Sequence, residues 1–203
     1  PRRWYCRHHV RRTSPRGRAV EFRSVLLVSV RAPVCACQYA VRIAMIGRAL
    51  PRQNYVGGVS GQMHLLASAL ARRGHRVTAY ALNSPPDAAS YDYRPITIPD
   101  QVRSRPWAAL YAAPWWVSRI PLDDFDVVHA HGDDHFVRTH RPIVRTFYGT
   151  ERAEARASTA VRHRLYHLSM VPFERLSERR ATEVVAISGG TQRSVTRPAV
   201  IIP

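Results

Sequence analysis

Arg42-Ile43-Ala44-Met45-Ile46-Gly47, followed ten residues on by Gly57-Gly58-Val59-Ser60-Gly61 and an amphipathic run, decides the fold of this chain. A short apolar run closed by glycine reads as a buried strand, and the second glycine group reads as the bend that feeds a helix. Glycines there carry no Cβ, so the backbone can approach a ligand closely. Free N–H groups and the positive end of the helix dipole favour an anion at the same place. Strand, glycine loop and helix in that order predict a hollow sized for a phosphate or a sugar. The spacing of Gly47, Gly57, Gly58 and Gly61 fits no G-x-G-x-x-G, and the chain has no lysine for a Walker A loop.

Outward from this unit the pattern alternates strand and helix. Val59, Met63, Leu66 and Leu70 fall on one helical face, and Arg72, Arg73 and Gly74 supply the closing cations and glycine. Residues 76–82 read as a strand, 94–98 as a short strand between prolines near an edge, and 105–120 as an aromatic, proline-interrupted helix. Residues 125–130 and 142–147 are near-continuous apolar strands of the kind buried on both faces. Residues 152–180 read as an arginine-rich helix kinked or broken at Pro172, 184–187 as another strand, and 199–202 as the last. Such alternation predicts an α/β fold, a doubly wound, mainly parallel Rossmann-like sheet with helices on both faces. Ligands of that fold bind beyond the carboxyl ends of the strands, which places 47–61, 131–135, 149 and 188–191 on one rim.

The charge is lopsided, with 31 basic against 14 acidic residues and a net +17, yet every basic residue is arginine. Uniform arginine points to a coding bias rather than to selection for phosphate contact. No basic face interleaved with aromatics emerges, so no nucleic-acid partner is expected; an arginine-driven anion or nucleic-acid binder is the non-enzyme alternative. Residues 1–40 hold nine arginines, the single acid Glu21 and no sustained period, and the chain begins with Pro. They are expected to be a disordered or non-native leader, with the domain spanning 41–203 and starting near Val41, a residue that several bacterial start codons would be misread as. Cys6, Cys35 and Cys37 all fall in that leader, so residues 41–203 have no cysteine for a disulfide or a zinc site, which suits a cytoplasmic enzyme. The apolar stretch 25–30 is far too short to span a bilayer.

Asp126-Val127-Val128-His129-Ala130-His131-Gly132-Asp133-Asp134-His135 is the densest group of titratable side chains. It nearly reproduces the H-x-H-x-D-H pattern of metallo-hydrolases, but Asp134 stands where a third histidine is wanted. A metal-dependent hydrolase using His129, His131, Asp133 and His135 is therefore the competing enzyme reading. In the preferred one the strand ends at His131, whose ring projects into the cleft as hydrogen-bond donor or proton shuttle. His129 points the same way by period two but lies deeper. Tyr148 and Gly149 end a strand on the same rim, and Ser188 and Thr191 either cap a helix or meet a ligand.

Taken in order, Gly57-Gly58-Val59, Leu66-x-x-Ala69-Leu70-x-x-Arg73-Gly74-His75-x-Val77-Thr78, the stretch 126–131 and Ala181-Thr182-Glu183-Val184-Val185-Ala186-Ile187-Ser188 resemble the N-terminal, acceptor-side domain of family-4 retaining glycosyltransferases of the GT-B fold. The resemblance spans about residues 41–203. It implies transfer of a sugar from a nucleotide-sugar donor to an acceptor hydroxyl with retention, with no catalytic metal and no cofactor beyond that co-substrate. It places Gly57, Gly58 and Ser60 on the donor-phosphate side and His131 as the catalytic cleft residue. His129, Asp133, Tyr148, Gly149, Ser188 and Thr191 are then substrate-binding. The acceptor would be a sugar or lipid-linked molecule, the location cytoplasmic, and peripheral association with the inner membrane face is an expected accompaniment. Two departures stand out: Tyr148 occupies the place of a histidine that many members carry, and the chain stops at Val200-Ile201-Ile202-Pro203, which reads as the linker into a C-terminal donor domain. That domain would carry the nucleotide site and the E-x7-E pair, so the expectation is a fragment inactive by itself.

Overall fold

A computed structural model describes residues 40–51, 57–84 and 89–201. The expected leader, residue 40 apart, and the last two residues of the chain lie outside the described residues, as does the middle of the loop after Gly47. Strand β1 (Arg42–Ile46) lies inside a parallel sheet, which is why four of its five residues are apolar and buried. Its neighbours are β2 (Arg76–Ala81), in register from Arg42↔Arg76 to Ile46↔Tyr80, and β4 (Val127–Ala130), from Ile43↔Val127 to Ile46↔Ala130. With β3 (Asp92–Pro95), β5 (Ile143–Phe147), β6 (Glu183–Ala186) and β7 (Val200–Ile201), the sheet has the order β3-β2-β1-β4-β5-β6-β7. Every pairing is parallel. The chain therefore winds outward from β1 to β3, returns to lay β4 beside β1, and winds outward again. The expected doubly wound α/β fold is what forms.

Alternation along the strands divides the core between the two faces. Ala44, Ile46, Val128, Ala130 and Ile143 pack with Val117 of helix α3 (Pro106–Val117) on one face. Ile43, Met45, Val77 and Ala79 pack on the other with Met63 and Ala67 of helix α1 (Gly58–Arg72). Short helix α2 (Asp100–Arg103) leads into α3, whose first residue is a proline fitted to an N-terminus. Helix α1 closes at Gly74, whose φ of 87° is the left-handed turn that glycine adopts without strain. Its expected face is largely the one that packs, with Met63 fully buried and Leu66 and Leu70 against the same cluster; Val59 departs from it at 40% exposed, and Ser60 and Ala67 are buried as well. Small side chains let the helix lie close, and a Cβ on Gly47 would come within 2.5 Å of the Met63 sulfur.

Element boundaries also differ, three of them for a visible reason. The edge strand starts two residues early and ends at Pro95 because its partner β2 stops at Ala81, leaving Ile96 to donate one last bond to the Ala81 carbonyl. Phe125 and Asp126 precede β4 rather than belonging to it, with the Asp126 carboxylate taking the Arg42 amide and guanidinium at 2.9–3.3 Å. The long helix breaks at residues 158–160, between α4 (Glu151–Ala157) and α5 (Val161–Arg180), and not at Pro172, which lies inside α5. Extended backbone at Ser158 ends α4, and the Ser158 hydroxyl donates to the Glu154 carbonyl. Helix α6 (Gly189–Ser194) precedes β7. Among the described residues no helix is long and apolar enough to cross a membrane.

Candidate functional site

Uniform strand direction sends the segments after β1, β4, β5 and β6 to a single rim. The winding reverses at the seam between β1 and β4, the point where open α/β sheets leave a crevice for ligands. Gly47 and His131 are the first residues beyond that seam. The His131 amide donates to the Ile46 carbonyl at 2.8 Å, and a Cβ on Gly47 would meet the His131 Cβ at 3.7 Å. Register fixes where the histidines go: Met45 pairs with His129 and faces α1, so His129 and His131 lie on the α1 face.

The two imidazoles stack, with centroids 4.4 Å apart and planes 22° apart. His129 Nε2 meets the Thr146 hydroxyl at 2.8 Å, and His131 Nδ1 meets the Tyr148 hydroxyl at 2.6 Å. His131 is only 6% exposed, and its Nε2 is buried without a hydrogen-bond partner. Burial holds His129 down to about 4. Burial also pushes His131 well below the usual imidazole range, helped by the His129 and Arg145 charges. Both rings are thus neutral at neutral pH. Burial raises Tyr148 to about 12, so the phenol keeps its proton. The histidine expected to project into a cleft is instead buried: His131 is a neutral ring braced by His129 and Tyr148, with one nitrogen uncommitted.

Beside it, Gly132 and Asp133 have φ of 145° and 57°, a left-handed turn that glycine and aspartate tolerate best. The turn carries the Asp133 carboxylate to Arg48, whose Nε and Nη2 donate at 2.7 and 2.6 Å. Burial opposes the Arg48 charge, but the Asp133 carboxylate outweighs it and holds the guanidinium protonated. This fork ties the segment after β1 to the segment after β4 across the seam, and Arg48 also reaches the Leu110 carbonyl in α3 at 3.4 Å. Asp134 turns to the other face and pairs with buried Arg145, which lies over the Phe147 ring at 4.8 Å. Burial lowers Arg145 to about 10. His135 meets the Ser177 hydroxyl of α5 at 2.9 Å.

These orientations correct the metal-hydrolase alternative. His129, His131, Asp133 and His135 do not converge, and among the described residues no three His, Cys, Asp or Glu side chains form a metal-holding group. The physical reason is the left-handed turn, which sends three consecutive polar residues to three different partners.

The glycine loop opens α1 with extended backbone at Gly57 and no side-chain cap. Ser60 donates its hydroxyl to the Gly57 carbonyl at 2.9 Å, which leaves the first-turn amides without a side-chain acceptor. Nothing lies within 4 Å of a Cβ built on Gly58. At β5, Gly149 approaches Glu154, and Thr150 caps α4 by accepting from the Ala153 amide at 3.3 Å. At β6, Ser188 accepts from the Thr191 amide at 3.1 Å and its hydroxyl meets that of Thr191, which makes the pair a helix cap. Sequence reading missed Arg48 and the Arg145–Asp134 pair; an arginine inside a buried strand was the available sign of the latter. Period two from His129 to His131, matched to Thr146 and Tyr148, would have found the hydroxyl partners.

The family described as Glycosyltransferase Family 4 matches residues 56–202 of this chain. A crystal structure of a glycosyltransferase from Rickettsia africae ESF-5 is similar, with a TM-score of 0.43 and 15% identity over 78% of this chain and 40% of that one. The chain thus spans about two fifths of the length of that protein. No curated protein matches it. The family match runs from the glycine loop through the last strand, over more than half of the chain, and the chain therefore belongs to glycosyltransferase family 4.

Proposed function

We propose that this domain is the acceptor-side half of a retaining, two-domain sugar transferase, working on a nucleotide-sugar donor and a sugar or lipid-linked acceptor. Family membership supports sugar transfer, and the uncommitted, buried Nε2 of His131 at the switch-point seam is the observation that carries the rest. A buried polar nitrogen without a partner costs on the order of 1–3 kcal/mol. A substrate hydroxyl at that place removes the cost. In this reading the Tyr148 hydroxyl donates to Nδ1 and the ring proton sits on Nε2, so the imidazole presents a neutral donor that orients a sugar oxygen. The first turn of α1, lacking a side-chain cap, offers its amides to the departing diphosphate and stabilises charge as the glycosidic bond breaks. A second α/β domain holds the nucleotide in this reading, and closure of the two excludes water. His129, Asp133 and Gly149 shape the acceptor side, Asp133 through Arg48. Ser188 and Thr191 serve by fixing the start of α6 at the rim. The enzyme works in the cytoplasm, beside the membrane that carries its acceptor.

Gly58→Ala tests the phosphate side. The new methyl has open space, and replacing glycine adds helix propensity, so stability stays level or rises by up to about 1 kcal/mol. Binding of inorganic pyrophosphate, followed by amide shifts at residues 57–60 and 131, is expected to weaken sharply. Unchanged binding in Gly58→Ala and in His131→Ala would remove the basis of the proposal.

A further inference from the structure

The crossover from β4 to β5 is made without a helix: residues 131–142 run back from the carboxyl rim to the amino ends of the strands as turns and irregular chain. Buried Val137 and Ile143 hold that return against the core, and between them Arg138-Thr139-His140-Arg141 stays at or near the surface. This stretch forms one wall of a cavity of about 830 Å³. The other walls are Asp123 ahead of β4, Arg180 at the last position of α5, and Thr182 ahead of β6. The cavity thus opens at the amino ends of the strands, the end of the sheet opposite the rim of Gly47 and His131.

Three guanidinium groups line it, those of Arg138, Arg141 and Arg180. Among the described residues none of the three lies within ion-pairing distance of a carboxylate, in contrast to Arg42, Arg48 and Arg145. Arg180 donates to the His135 carbonyl at 2.8 Å and Arg141 to the Asp123 carbonyl. Those bonds fix where the two groups stand and leave most of the five N–H donors of each uncommitted. Arg141 acts on the Asp126 carboxylate only from farther off, and Arg42 already forks that group. The threonines are arranged to the same end. Thr139 Oγ1 accepts from the Arg141 amide and Thr182 Oγ1 from the Ile143 amide, both at 3.1 Å, so each hydroxyl keeps its proton to donate. Coding bias accounts for arginine in place of lysine, but not for three arginines converging with two hydroxyl donors on one hollow.

That chemistry identifies the ligand. Guanidinium forks and hydroxyl donors suit phosphate oxygens. Against the one carboxylate of Asp123 the three arginines leave two positive charges, which a phosphate monoester dianion balances and a monocarboxylate does not. The volume lies within the roughly 300–1,000 Å³ of small-molecule sites and far exceeds a phosphate group alone. Val137, Pro142 and Ile143 supply apolar lining for the rest of the molecule. We propose that this cavity is a second ligand site that takes a small organic phosphate monoester, its phosphate held by Arg138, Arg141, Arg180 and the Thr139 and Thr182 hydroxyls. The inference stands apart from the sugar-transfer reading, since binding here needs neither the glycine loop nor His131, and either can fail without the other.

The test is titration of the isotope-labelled full chain with phenyl phosphate, and with benzoate as the matched monocarboxylate, at constant ionic strength. Saturable amide shifts at residues 138–141 and 182 are expected with phenyl phosphate, and binding of benzoate at least about tenfold weaker. Arg138→Gln and Arg180→Gln should each weaken phenyl phosphate by about tenfold, the contribution of one charge-assisted hydrogen bond. Among the described residues exposed Arg138 has no hydrogen bond or ion pair to lose, so its variant keeps the fold. Gly58→Ala should leave the shifts at 138–141 unchanged. Equal binding of benzoate, or undiminished binding by Arg138→Gln, would overturn the proposal. Shifts confined to residues 57–60 and 131 would overturn it too, while leaving the sugar-transfer reading intact. So would saturation of this face by a single-stranded oligonucleotide but not by phenyl phosphate.

Discussion

A methyl group on Gly47 would lie 2.5 Å from the sulfur of fully buried Met63, so Gly47→Ala forces the helix or the methionine to move. The expected cost is about 1–3 kcal/mol, read as a lower urea midpoint with an unchanged slope. Asp134→Ala should be costlier, about 3–5 kcal/mol, because it strands the buried Arg145 guanidinium. Replacing both at once, as Asp134→Leu/Arg145→Met, is expected to cost less than the single change, and a double-mutant cycle of denaturation midpoints checks it. At this scale the sequence was only partly readable. Gly47 and His131 stood out because residue type alone restricts what they do. Arg48 did not, since its meaning comes from a carboxylate 85 residues away, brought near by three successive crossovers.

Helix starts show what local patterns carry and what they miss. Ser188 followed by Thr191 was readable as a cap, and the structure has that cap, with the serine oxygen accepting at 3.1 Å. Ser188→Ala is expected to cost about 1 kcal/mol of stability, and Thr150→Ala less, its bond being 3.3 Å; thermal melts of the two variants give the order. Helix α1 was placed correctly, and of its expected face only Val59 failed to pack, because size was taken for burial. A helix pressed on a sheet beside a bare glycine buries Ser60 and Ala67 and leaves Val59 outside. The break at residues 158–160 escaped notice for a related reason. Pro172 is the obvious interruption in the sequence, yet α5 runs through it, while Ser158 ends α4 by turning extended.

Over the whole molecule, pH dependence is the sum of opposed groups. His129, held down to about 4, and His131 and His135, also lowered by burial, stay neutral in the fold. The unfolded chain protonates them near 6.5, so it binds more protons below that pH and stability falls as pH drops from about 6.5 towards 4. Glu174 has the opposite sign: burial raises it to about 7, so the fold holds that proton and stability falls as pH rises from about 4.3 to about 7. Three histidines outweigh one glutamate in the shared window, so the balance of these four groups still rises through pH 6.5 and levels off only above about 7. Glu174→Gln should steepen the rise between about pH 5 and 7, as urea midpoints across pH would show. The sheet itself was legible because apolar runs of strand length, each followed by a helical period, leave few alternatives to parallel winding; strand order was not, since no local pattern says that β4 returns beside β1. That winding has an evolutionary corollary. Each crossover returns the chain to the far end of the sheet before the next strand, so the rim segments can vary in length and chemistry without disturbing a ladder. Grafting the stretch between β5 and α4 from a distant relative would retune what is recognised while the barrel-free scaffold folds as before, and such grafts are how one framework comes to serve many substrates.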